Sequence, residues 1–275
     1  KTYNDAATLL REIDPDIISI ATWKDSHYDM MNLALDYEVP AVVLEKPIAE
    51  RVDHAREIVE RANAQGMHLL INHRRRFDPL LRPLASDLKA GIIGELLQVT
   101  TYYVFGLVTT GTHLVDALRF FLIDIAGEIE WVSCHTNAFP VFHPHDDPCI
   151  DGVIGFANGL KATVQSLSIK DYDLFELNFF GRQGKISLKN IGRDVDIFKV
   201  EESMEHQGFT ELCVQPTETR GGSPRDQFRF MADNAIDCLE CRATSLSTGE
   251  DSLKTLEILH AMGQSADQGG CVIRL

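Results

Sequence analysis

No apolar run in these 275 residues approaches the roughly 18–20 that a membrane-spanning helix requires. The opening Lys1-Thr2-Tyr3-Asn4-Asp5 lacks the basic-then-apolar layout of a secretory signal. It also lacks an initiator methionine, which leads us to expect residues upstream of Lys1. Basic residues are few: 26 Lys and Arg stand against 41 Asp and Glu, for a net charge of −15. That balance disfavours nucleic acid and anionic membranes as partners, because both need a basic surface. Six cysteines are too sparse for the disulfide framework of a small secreted domain, so a reducing cytoplasm is the expected compartment. There is no internal repeat and no low-complexity segment. What remains is an ordinary globular balance, 44% hydrophobic and 24% charged.

Two periods alternate over residues 1–78. Ala7, Leu9, Leu10 and Ile13 fall at helical spacing. Residues 17–21 form a short β-branched run of the kind found in strands buried on both faces. A helix over 27–37, a strand over 41–44, a helix from Ile48 to a C-terminal Gly66, and a strand over 68–72 follow. This order implies a parallel, doubly wound sheet. After Pro79 the pattern changes to a short helix over 80–90, a strand over 95–104, and a helix over 112–122. Strand-like runs then follow one another at 129–135, 152–156, 160–169, 175–180, 185–188 and 195–200, and two helices, 225–241 and 250–262, close the chain. Strands in succession suggest a large, mostly antiparallel sheet. The expected domains are 1–78 and 79–275.

A doubly wound nucleotide-binding sheet normally opens with a glycine-rich turn that receives a pyrophosphate. No G-x-G-x-x-G occurs here. The expectation is an incomplete Rossmann-type sheet that binds a dinucleotide poorly by itself, with an upstream segment needed to complete it.

Two segments carry chemistry. In Val42-Val43-Leu44-Glu45-Lys46-Pro47 an apolar strand delivers a lysine at its C-terminal end, where open α/β sheets bind ligands. Desolvation there would favour the neutral amine and suit it to proton transfer; a solvated lysine at a strand end is the plainer alternative. In Gly111-Thr112-His113-Leu114-Val115-Asp116, Thr112 is a sensible helix N-cap that sets His113 in the first turn, with Asp116 one turn on. A structural histidine is the alternative there.

Together with Thr22 and Arg76-Phe77-Asp78-Pro79, these segments occur in the order and rough spacing of one family. The chain resembles the glucose–fructose oxidoreductase/inositol dehydrogenase/MocA (Gfo/Idh/MocA) family over almost its whole length, through Ser247-Thr248-Gly249-Glu250-Asp251. The resemblance implies a Rossmann domain followed by an α/β domain whose open sheet often packs against another subunit. It implies NAD or NADP as cofactor and a sugar, inositol or nucleotide sugar as substrate. By the same resemblance, Lys46, His113 and Asp116 are catalytic candidates. Thr22, Trp23, His27, Glu45, Lys46, Pro47 and Arg76 lie near the cofactor, and Lys46, Thr109, Thr112 and His113 face the substrate. Many members carry aspartate four residues before the histidine; here that position is Thr109, so a carboxylate is missing.

The leading functional expectation is hydride transfer between nicotinamide and a secondary alcohol. A non-catalytic dinucleotide- or sugar-binding regulator is the alternative. No metal is expected, although His143-Pro144-His145-Asp146-Asp147 has ligand-type residues. That run also suits a substrate-lining loop or a plain exposed one, and a metal-dependent hydrolase is a third reading. Cys238 and Cys241 have no second pair, so they read as incidental thiols. Arg74 and Arg75 read either as phosphate ligands or as a solvated basic loop. Alternating apolar residues from Ile129 to Val200 predict self-association through the sheet, as a homodimer or homotetramer.

Overall fold

The computed structural model describes all residues except 138–146 and 223–225. It divides into two compact units, Lys1–Asp78 with Arg225–Glu257, and Pro79–Pro224 with Ile258–Leu275. The first is therefore discontinuous, whereas the sequence alone placed everything after Pro79 in one domain.

In the first unit α1 (Ala6–Ile13) is capped by Asp5, whose carboxylate accepts the Thr8 N–H at 2.8 Å. β1 (Ile17–Ile20), α2 (His27–Asp36), β2 (Ala41–Leu44), α3 (Val52–Gln65) and β3 (His68–Ile71) follow. The three strands are parallel in the order β1-β2-β3. Strand period two sorts the side chains. Ile20, Val42, Leu44, Leu69 and Ile71 pack with Met31 and Leu35 of α2 and Ile58 and Val59 of α3. Val43 and Leu70 point the other way, against Phe77 and against Met231 and Ala235 of an additional helix. Each such side chain, fully buried, is worth about 1.5–3 kcal/mol.

Two expectations need correction here. β1 is an edge strand with Ser19 exposed and Ile17 and Ile18 half-buried, so it is not covered on both faces. α3 starts at Val52 rather than Ile48, because residues 45–51 form a loop after β2. Its end is as read: Gly66 takes φ 67°, where a side chain would be strained.

The second unit holds α4 (Leu81–Lys89), β4 (Leu96–Val104), α5 (Thr112–Ala126), β5 (Ile129–Thr136), β6 (Ile150–Phe156), β7 (Lys161–Leu167), β8 (Phe175–Gly181), β9 (Gly184–Lys189), β10 (Asp194–Glu202), β11 (Thr210–Leu212) and β12 (Glu218–Gly221). α6 (Gln227–Leu239) belongs to the first unit; α7 (Gly249–Asp267) begins there and ends in the second, before β13 (Ile273–Arg274). The large sheet runs β11-β10-β9-β8-β4-β7-β6-β5-β13, with β12 beside β10. Every pair is antiparallel except β4 with β7. Its inner face, including Val99, Val132, Ile154, Val164, Leu177 and Leu188, packs with Leu114, Leu118 and Phe121 of α5 and with the end of α7. The outer face is mixed rather than broadly apolar. Thr100, Thr163, Gln165, Asn178 and Ser187 alternate there with the inner set, beside half-buried Trp131, Val153 and Phe180.

Candidate active site

In the first unit the strand register lines up Ile20, Leu44 and Ile71 across the sheet. The chain leaves all three strands at one edge. Glu45 N–H donates to Ile20 O at 2.9 Å and Asn72 N–H to Leu44 O at 2.8 Å. Thr22, Glu45, Lys46, Pro47 and Asn72 therefore share that edge.

His27 ties two of these loops together. Its ring is 1% exposed. Nδ1 lies 2.7 Å from Pro47 O and Nε2 lies 3.1 Å from Thr22 O. The structure thus sets His27 behind Thr22 and Pro47, with both ring nitrogens facing backbone carbonyls. Ser26 Oγ lies 2.7 Å from Thr22 Oγ1 and further orders that loop. Trp23 is 84% exposed. Lys46 is half-buried.

Asn72 is the residue that sequence reading missed. Its amide donates to Glu45 Oε1 and so orients the carboxylate. Asn72 Oδ1 is buried and has no hydrogen-bond partner among the described residues. A polar residue directly after a buried strand was the available signal.

Half-buried Arg74 opens the arginine run, and the two that follow do not sit in water as a basic loop would. Arg75 and Arg76 are both buried. Arg76 Nη1 pairs with Asp251 Oδ2 at 2.8 Å. Asp251, in the first turn of α7, donates its backbone N–H to Thr248 Oγ1 at 3.1 Å. Next to it, His73 Nε2 lies 3.2 Å from Ser252 Oγ. Residues 72–78 are thereby pinned to the start of α7.

In the second unit, β4 leads into Phe105 at φ 65° and then a wide turn over Leu107–Gly111, closed by Gly111 N–H on Gly106 O at 3.1 Å. α5 follows directly. Thr112 is not a cap: it is buried and already helical, and the preceding Gly111 offers no side chain. Leu114, Val115 and Asp116 are buried, whereas His113 is half-exposed and Thr109 exposed. Positions 109 and 113 are four apart, close to the spacing of one helical turn.

The acceptor at this helix start comes from far along the chain. Asp147 Oδ1 accepts the Val108 N–H at 2.7 Å, and Oδ2 accepts the Thr109 N–H at 2.8 Å and the Thr109 hydroxyl at 2.6 Å. Its negative charge is felt nearby. Burial pushes the Cys149 thiol up, and Asp147 and Asp151 add to the shift. Burial also raises the Tyr103 phenol, whose hydroxyl is held at 2.9 Å from Ile150 O. His143, Pro144, His145 and Asp146 lie outside the described residues. Cys238 is buried, Cys241 is exposed, and both are free thiols.

Residues 1–73 match the family described as oxidoreductase, NAD-binding Rossmann fold, Gfo/Idh/MocA. Over the whole chain the likeness is to oxidoreductases of that kind. D-apiose dehydrogenase of Rhizobium rhizogenes is 26% identical, over 99% of this chain and 83% of that protein. The rhizopine catabolism protein MocA of Rhizobium meliloti is 31% identical over 37% of this chain, a match spanning about a third (32%) of that relative. In fold, the chain resembles levoglucosan dehydrogenase solved with NADH and levoglucosan, at TM-score 0.82 and 16% identity, covering 99% of this chain and 83% of that one. It also resembles the WlbA dehydrogenase of Bordetella pertussis solved with NADH and UDP-GlcNAcA, at TM-score 0.77 and 18% identity, covering 98% and 82%.

The cofactor of the NAD-binding family that residues 1–73 match suits the first unit's edge. The Glu45 carboxylate and the orphaned Asn72 oxygen are acceptors, while ribose hydroxyls and a carboxamide N–H are donors. No helix among the described residues is long and apolar enough to cross a membrane.

Proposed function

We propose that the protein interconverts a CH–OH group and a carbonyl on a sugar-like polyol, with Lys46 as the proton-transferring residue and His113 orienting the reacting hydroxyl. When bound, NAD(P) supplies the hydride acceptor or donor. As hydride leaves carbon, the hydroxyl proton must leave oxygen, and the neutral Lys46 amine takes it. In reduction the ammonium returns the proton to the forming alkoxide. Thr22, Glu45 and Asn72 hold the nucleotide, and His27 keeps the Thr22 and Pro47 loops in place. The observation that carries this reading is the delivery of Glu45-Lys46-Pro47 to the C-terminal edge of the parallel sheet, level with Thr22 and Asn72. Relatives named as inositol and D-apiose dehydrogenases support the substrate class. The test is incubation with NAD⁺ or NADP⁺ and a panel of inositols, aldoses, apiose and nucleotide sugars. Growth of the reduced-nicotinamide absorbance is the expected result. Nucleotide binding without any absorbance change across the panel would favour a regulator and sink the enzymatic reading.

A further inference from the structure

From Tyr102 to Val115 the chain carries no acidic residue of its own. A carboxylate nonetheless stands against this stretch, supplied by Asp147. Its three acceptor contacts, to the N–H groups of Val108 and Thr109 and to the Thr109 hydroxyl, are all shorter than 3 Å. The backbone around it is fastened as well. Leu107 N–H donates to Pro148 O at 3.0 Å, and Cys149 Sγ lies 2.8 Å from Phe105 O. Gly106 leaves the room: a Cβ there would fall 2.2 Å from Asp147 Cγ.

Part of this is helix capping, since the first N–H groups of a helix need acceptors. Capping does not account for the third contact. The hydroxyl belongs to exposed Thr109, four positions before half-exposed His113. A carboxylate has about four acceptor sites and three contacts use them here, so capacity remains for a further donor. A polyol offers such donors.

We propose that Asp147 is the carboxylate of the substrate site around His113: it fixes the Thr109–His113 face and accepts a hydrogen bond from a substrate hydroxyl. This rests on the reading of His113 given above. Asp147 is thus a binding and positioning residue rather than a proton carrier.

The decisive variant is Asp147→Asn, which keeps a capping oxygen and removes the charge. With the best substrate of the panel, kcat/KM should fall by roughly 10- to 100-fold, the loss of one charge-assisted hydrogen bond, with the larger part in KM. Nucleotide affinity and cooperative melting should stay close to wild type. Asp147→Glu, which retains the charge, should recover part of the loss. A second readout does not depend on turnover. In histidine side-chain NMR, with His113 assigned through His113→Gln, adding myo-inositol should move the His113 signal in the wild type and move it less in Asp147→Asn. Wild-type kcat/KM together with an unchanged inositol response in Asp147→Asn would overturn the proposal and leave Asp147 as a cap alone. If the wild type oxidises nothing in the panel, the functional reading fails, and the NMR comparison still decides whether Asp147 serves a polyol site.

Discussion

His27 Nδ1 lies 2.7 Å from the carbonyl oxygen of Pro47, across 20 positions of sequence, and this contact fixes the loop that carries Lys46. Replacing His27 with alanine should leave the Pro47 and Thr22 carbonyls short of a partner in a buried site and open a cavity. The expected cost is roughly 2–4 kcal/mol, with weaker nucleotide binding. Urea denaturation and calorimetry measure both; an unchanged midpoint with unchanged affinity would dismiss this role.

Lys46→Ala should reduce kcat by roughly 10²- to 10⁴-fold, the range of a lost general acid–base, while nucleotide affinity changes only a few-fold. Wild-type turnover in that variant would remove Lys46 from the chemistry.

Arg76 and Asp251 form a pair that is 8% and 24% exposed, 175 positions apart. Breaking a largely buried pair from one side removes the other charge's ion-pair partner. Either Arg76→Ala or Asp251→Ala should cost roughly 2–4 kcal/mol, and the double variant should cost less than the two summed. Strict additivity in that cycle would show that the pair contributes no coupling.

Burial pushes the Cys134 thiol up to about 12 from an ordinary 9.0. Cys149 and Cys238 are raised too, each first by burial. Below the ordinary thiol range both native and unfolded chains are protonated, so these groups add no pH dependence. Above it the unfolded chain sheds protons that the native chain keeps. Stability should therefore fall as pH rises from about 9 toward 12, by about 1.4 kcal/mol per pH unit for each fully shifted thiol. Cys134→Ala should flatten the slope in urea midpoints measured across that window; an unaltered slope would argue against it. At neutral pH, exposed Cys241 and Cys271 should react with a thiol reagent well before buried Cys134.

Half-buried Trp131 lies on the outer face of the large sheet, where it fills the space over Gly155. If this face joins two copies, light scattering should give a dimer or tetramer for the wild type and a smaller species for Trp131→Glu. A wild-type monomer at micromolar concentration would rule the association out.

Much of this protein follows from local pattern. Val42, Leu44 and Ile71 are apolar at strand spacing between amphipathic helices, so β2 and β3 are legible within a residue. Gly66 marks a helix end through a conformational preference that needs no distant partner. The lysine after β2 is legible for the same reason, since a strand end fixes where the next side chains emerge. Long-range partners are not written locally. Nothing near Arg76 announces Asp251, and nothing near Asn72 announces that Glu45 will accept its amide. Thr112 had the right chemistry for a cap, yet the turn over Leu107–Gly111 draws it into the helix and the capping oxygens arrive from Asp147. The burial of Ile17 and Ile18 could not be read from their own side chains either, because exposure depends on which neighbours a strand receives. Sequence sets preferences over one or two turns of chain; tertiary structure decides which polar groups, tens or hundreds of positions apart, must satisfy one another once water is excluded.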